Sequence, residues 1–113
     1  MSGYYFNLTL LDPGTGAEVD PDRQAEVIRE FREVSGNAFE ALENDGSDRS
    51  EWGWIMMDED LRAFSKGHPG ILFRMHVKGV DTYEDFYLYI QDGKGQYCPG
   101  QMAYPPFDAG ALR

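Results

Sequence analysis

The chain has 113 residues, with 20 acidic against 10 basic side chains and a formal net charge of −10. That length holds one domain, here an α+β domain over residues 1–113, and 42% hydrophobic with 14% aromatic residues is enough apolar material for a core, which excludes a disordered tail. No uncharged apolar run approaches the ~18 residues of a membrane span, and a pI near 4.4 disfavours direct contact with nucleic acid or anionic lipid.

The acidity is local. Residues 12–60 hold 15 acids and only Arg23, Arg29, Arg32 and Arg49 as bases, a net −11, whereas the rest of the chain holds five acids and six bases, a net +1. Polar loops and solvated helix faces produce such charge in many soluble proteins. Adaptation to salt would instead spread acids over the whole surface.

From Tyr4 to Leu11 the side chains alternate, Tyr4, Phe6, Leu8 and Leu10 against Tyr5, Asn7 and Thr9, the period of a half-buried strand. Asp12-Pro13-Gly14-Thr15-Gly16 ends it, and Asp20-Pro21-Asp22 supplies an N-cap, a proline at the first helical position and an acid suited to the helix dipole. The helix runs to about Val34 and closes at Ser35-Gly36-Asn37. Its apolar stripe is Val27, Ile28, Phe31 and Val34, and a second face carries Asp22, Glu26, Glu30 and Glu33, carboxylates about one turn, roughly 5–6 Å, apart.

Residues 38–43 show no clean period and are read as a short strand. The acidic loop Asn44-Asp45-Gly46-Ser47-Asp48-Arg49-Ser50 follows, then Glu51-Trp52-Gly53-Trp54. Asp58-Glu59-Asp60 opens a second helix, with Met57, Leu61 and Phe64 on its inner face and Lys66-Gly67-His68-Pro69 at its end. Ile71, Phe73, Met75 and Val77 then alternate with Leu72, Arg74, His76 and Lys78, and Phe86, Leu88 and Ile90 with Tyr87, Tyr89 and Gln91. Asp92-Gly93-Lys94-Gly95 turns the second of these strands into a shorter one near Gln96–Cys98, limited by Pro99 and Pro105-Pro106. The expected order is β-α-β-α-β-β-β: an antiparallel-rich sheet of four to five strands with two helices on one face.

Catalytic signals are weak. His68, His76 and Cys98 have no metal-ligand spacing, no glycine-rich phosphate loop is present, and no cofactor is expected. Cys98 is the one cysteine and has no internal disulfide partner, and Met1–Tyr4 lacks the pattern of a secretory leader, so a reducing cytoplasm is the expected compartment. Acid pairs such as Asp58 with Asp60, or Glu84 with Asp85, leave a small carboxylate enzyme as an alternative. Tyr5, Tyr87 and Tyr89, with Arg74, His76 and Lys78, are expected on the sheet face away from the helices. Aromatics and bases on an open sheet can stack single-stranded bases, but in so acidic a chain cross-strand pairing or a protein contact fits better.

Trp54, Asp58-Glu59-Asp60-Leu61, Phe64-Ser65, His68-Pro69, Ile71-Leu72-Phe73, Tyr87, Tyr89, Asp92-Gly93-Lys94 and Gln96 together resemble a loosely defined group of small phage and mobile-element proteins. The resemblance covers about residues 52–108, with Phe107-Asp108 echoing the usual tail; Lys78-Gly79-Val80-Asp81 departs from the group's more acidic turn. It implies a ferredoxin-like α/β sandwich and a phage or prophage origin in a bacterial host, where small acidic products often inhibit host defence or nucleic-acid enzymes.

The leading expectation is a non-enzymatic inhibitor of the anti-CRISPR or anti-restriction kind. Asp22, Glu26, Glu30, Glu33, Glu43, Asp45 and Asp48 would replace phosphates in the basic channel of a host nucleic-acid-binding protein complex, with no direct nucleic-acid or membrane contact. The alternative is an adaptor or immunity-type module binding through the tyrosine face. Monomer and homodimer both remain open.

Overall fold

The computed structural model describes residues 3–99. Seven elements follow in order: β1 (Tyr4–Leu11), α1 (Pro21–Val34), α2 (Gly36–Ala41), α3 (Met57–Ser65), β2 (Leu72–Gly79), β3 (Asp85–Gln91) and β4 (Lys94–Pro99). The strands form one sheet in the order β1-β2-β3-β4, with every neighbouring pair antiparallel and Leu8, Met75, Leu88 and Tyr97 in register across it. The molecule is therefore α+β, with an antiparallel sheet and three helices.

Two expectations are corrected. Residues 38–43 hold no strand: Ser35 Oγ accepts from the Ala38 amide and caps α2, and Ala38, Ala41 and Leu42, all buried, recur at helical spacings of three and four. The described order is thus β-α-α-α-β-β-β, with four strands rather than a fifth inserted between helices. The sheet is also sequential. A ferredoxin-like unit is a split βαβ arrangement with parallel neighbours, and the described strands contain no parallel pair. Pro105-Pro106 and Phe107-Asp108 lie outside the described residues.

The core joins the helices to one face of the sheet. Phe6, Leu8 and Leu10 from β1, Phe73, Met75 and Val77 from β2 and Leu88 and Ile90 from β3 pack with Val27, Ile28, Phe31, Leu42, Trp54 and Leu61. Asp20 caps α1 as its sequence predicts, its carboxylate accepting from the Asp22 and Arg23 amides. Phe31 stacks on Phe64 at 4.6 Å and lies beside Trp54 at 5.7 Å, which ties α1 to α3.

The two sheet edges differ. Along β1, Tyr4 exchanges backbone hydrogen bonds with Trp52, the Leu8 amide donates to the Gly46 carbonyl, and the Val19 amide donates to the Leu10 carbonyl. The Leu10 amide is met by the Gln24 side chain at 2.9 Å. These partners close β1 against further strand pairing. On β4, alternation in the hairpin register turns the backbone groups of Gly95 and Tyr97 away from β3, and this edge has no neighbouring strand among the described residues.

Candidate functional site

All seven acids singled out by the sequence are exposed, but they fall into two patches. Asp22, Glu26, Glu30 and Glu33 share one face of α1 by helical periodicity. Glu43, Asp45 and Asp48 belong to a loop on the opposite flank of that helix, where the Gln24 side chain donates to the Asp45 carbonyl at 2.9 Å and Arg32 donates to the Asn44 side chain. Arg29 and Arg32, at intervening helical positions, stand between the patches.

The acids also differ in what holds them. Glu26 pairs with Arg23 at 2.7 Å and Glu30 meets the His68 ring at 3.1 Å. Asp45 accepts from the Ser47 amide and hydroxyl, at 2.9 and 2.6 Å, and these bonds hold its carboxyl below the usual carboxylate range. The carboxylates of Asp22, Glu33, Glu43 and Asp48 have no hydrogen-bond or ion-pair partner among the described residues. Two nearby bases are engaged elsewhere, with the guanidinium carbons of Arg32 and Arg49 at 4.7 and 4.5 Å from the centre of the Phe39 ring.

The tyrosine face is less open than its alternation implies. Tyr5 is exposed, but Tyr87 is half-buried, and Tyr89 and Cys98 are buried in a small cluster with Leu11 and Leu72. His76 packs edge-on against Tyr87 at 4.8 Å and bonds Asp85 at 2.6 Å, and Arg74 lies over the Tyr87 ring at 5.4 Å. Those side chains brace one another across the strands. Burial pushes the Cys98 thiol pKa up, the opposite of what a nucleophilic cysteine requires.

On the helix-covered face, α3 leaves the outer part of β3 and β4 uncovered. The resulting groove, about 830 Å³, is lined by Phe6, Trp54, Val77, Phe86, Leu88 and Tyr97 and flanked by Ile55. Ile55 is 93% exposed and Tyr97 61%, the apolar character expected of a contact surface. Its two carboxylates are at the rim: Asp58 pairs with Arg62 at 2.5 Å, and Glu84 accepts the Tyr4 hydroxyl at 2.8 Å, which raises the Tyr4 pKa. The sequence reading missed this groove. Its signal was the run Ile55-Met56-Met57, of which only Met57 faces the core.

Among the described residues no three His, Cys, Asp or Glu side chains converge as a metal site, and no helix is long and apolar enough to cross a membrane. Comparison with protein-family models, curated proteins and solved structures returns no match for this chain. The residues that carry the phage-group resemblance have structural work in this fold. Trp54 donates its indole N–H to Asp60 at 2.8 Å. The buried Ser65 hydroxyl accepts the Gly93 amide at 2.8 Å and donates to the Arg62 carbonyl at 2.7 Å, and Gln91 donates to the Pro69 carbonyl. The motif thus clasps α3 onto the β3–β4 hairpin.

Proposed function

We propose that the chain acts by binding a basic protein, and that its partner is a nucleic-acid-binding complex whose phosphate-contacting Arg and Lys residues meet the carboxylates of α1 and the 43–48 loop. The observation that carries this is the set Asp22, Glu33, Glu43 and Asp48, exposed carboxylates without internal partners among the described residues. A carboxylate that caps or pairs within its own fold has a structural reason to be there; among the described residues these four neither cap nor pair, Asp22 alone also suiting the α1 dipole, and they are concentrated in the segment that holds the whole negative balance. Charge complementarity of this kind raises the association rate and weakens with salt. An inhibitor of host defence, of the anti-CRISPR or anti-restriction kind, is the biological role that the phage-group resemblance adds.

The two patches set a geometric demand on the partner. A single strand of phosphates is mimicked by one ladder, whereas carboxylates on both flanks of α1, with Arg29 and Arg32 between them, fit a cleft that receives the helix between two basic walls. The test is competition. A complex captured on the immobilised protein from nuclease-treated bacterial lysate is expected to elute with double-stranded DNA, which takes the same basic surface; a captured complex indifferent to DNA would contradict phosphate mimicry.

A second reading, an adaptor that binds through the sheet, is favoured by the apolar groove rather than by the tyrosine face. Tyr87 and Tyr89 are buried or half-buried in cross-strand contacts, so truncating them would weaken the fold before it touched a partner.

A further inference from the structure

The groove over β3 and β4 differs in charge from one end to the other. At one end Arg62 pairs with Asp58 at 2.5 Å and lies against Gly95. At the other end stands Glu84. Tyr4 pairs with Gly79 across β1 and β2, and the Gly79 amide donates to the Glu84 carbonyl at 2.8 Å, so tyrosine, glycine and glutamate make up the last row of the sheet. Gly95 pairs with Ile90, six residues further along the chain from Glu84, roughly 20 Å in extended strand. Arg62 is the one base among the described residues that line the groove, and at that separation it does not neutralise Glu84.

The same row holds the Glu84 carboxylate in place. Its Oε1 accepts from the Tyr4 hydroxyl at 2.8 Å and from the Thr82 hydroxyl at 3.3 Å. A Cβ on Gly79 would collide with that threonine oxygen, so the glycine lets the arrangement form. Two donors fill the lone pairs of Oε1, and Oε2 has no partner among the described residues. The apolar wall begins two residues along the strand, where Phe86 lies against Tyr97 with ring centres 4.9 Å apart. Leu88, Trp54 and Ile55 line the groove beyond.

We infer that this groove receives a lysine side chain of the protein partner, its ammonium on Glu84 Oε2 and its four-carbon stem along Phe86 and Tyr97. The inference rests on the reading of a basic partner and adds a contact outside the α1 surface. Aromatic faces attract a cation, and a carboxylate approached over apolar rings is matched by a charge carried on a long apolar stem. The open oxygen selects lysine over arginine. A guanidinium fork needs both carboxylate oxygens for its paired hydrogen bonds, whereas an ammonium, a compact point charge, needs one. An uncharged apolar side chain would fill the wall and leave Glu84 covered without a partner, which is unfavourable.

The test titrates the full chain with Nα-acetyl-lysine methylamide and with its arginine and norleucine counterparts at fixed ionic strength, following the Trp54 indole and Tyr97 ring signals by NMR. The lysine probe is expected to shift both signals saturably. Norleucine, which lacks the ammonium, and the Glu84→Gln variant should each weaken binding about tenfold, arginine should bind less tightly than lysine, and Glu33→Lys/Glu43→Lys should leave the groove signals unchanged. No shift at Trp54 and Tyr97, norleucine binding as well as lysine, arginine binding as tightly, or indifference to Glu84→Gln would each overturn the inference. Lysine binding that disappears in Glu33→Lys/Glu43→Lys would place the probe on the acids of α1 and its loop, overturning the groove site while leaving the basic-partner reading intact.

Discussion

Gly46 shows how much one residue decides. Its φ of +91° lies in the region that L side chains avoid, and a Cβ there would run into the Leu8 carbonyl while crowding the Ile28 side chain. The same glycine accepts the Leu8 amide at 2.7 Å, so it both turns the acidic loop and seals the β1 edge. Gly16 has a similar φ of +76° but open space around it. Gly16→Ala should therefore cost only the conformational term, about 1 kcal/mol, and Gly46→Ala clearly more, about 3 kcal/mol or above, because collision adds to it. Urea denaturation of the two variants checks the difference, and equal losses would contradict the close approach. The asparagine-aspartate-glycine sequence signalled a turn; the contact that makes glycine obligatory came from a strand 38 residues earlier and had no local trace.

Two titrating groups make opposite demands on pH. Cys98 has its thiol pKa raised by burial, so its contribution to stability is complete below the ordinary thiol range and is lost as pH rises through the raised value. Its alkylation in the native protein should be slow at mildly alkaline pH and become fast in urea, and equal rates would show the thiol open to solvent. Asp45, held low by Ser47, contributes above the ordinary carboxylate range and loses that contribution as pH falls through the lowered value. Ser47→Ala should remove the hydroxyl's share of this acid sensitivity and leave the share of the backbone amide, visible as a smaller fall in stability between neutral and acid pH.

Among the elements, α3 and the β3–β4 hairpin are coupled at the Gly93 turn, where the Ser65 hydroxyl accepts the Gly93 amide and Arg62 donates to the Gly93 carbonyl. The turn Asp92-Gly93 has both residues at positive φ, 49° and 78°, as a tight two-residue hairpin of this hand requires. That orientation delivers the Gly93 amide to Ser65, which is fully buried. Ser65→Ala leaves that amide without its acceptor and should cost about 1–3 kcal/mol, with faster amide exchange in β3 and β4 than in β1. Asp20→Ala, which removes the α1 cap, should cost about 1 kcal/mol and leave the hairpin unaffected.

The strands and the two longer helices were legible because each has one period and clear boundaries: the alternation from Tyr4 to Leu11, Asp20-Pro21 before α1, and Asp92-Gly93 between β3 and β4. Residues 38–43 were not, since six residues carry fewer than two helical turns and Phe39, exposed, obscures the Ala38, Ala41 and Leu42 stripe. Tyr89 was misplaced as open because alternation assigns a face and not its covering. The acids of α1 were legible as a ladder, while the position of the loop acids on the other flank depended on Gln24 and Arg32 contacts that no spacing encodes.

For the molecule as a whole, the acidic patches and the apolar groove are distinct surfaces. The acids of residues 22–48 cluster around α1 and the loop that closes β1, whereas the groove with Ile55 and Tyr97 opens over β3 and β4. Reversing Glu33 and Glu43, one from each patch and neither side chain bonded among the described residues, separates binding from stability. Glu33→Lys even favours the α1 C-terminus by placing a cation there. The decisive measurement is affinity capture from nuclease-treated bacterial lysate with wild type and the Glu33→Lys/Glu43→Lys variant at low and high salt, with captured proteins identified by mass spectrometry. The account predicts a nucleic-acid-binding complex retained by wild type at low salt, released at high salt and absent from the folded variant. The same complex held equally by both proteins at both salt concentrations would contradict it.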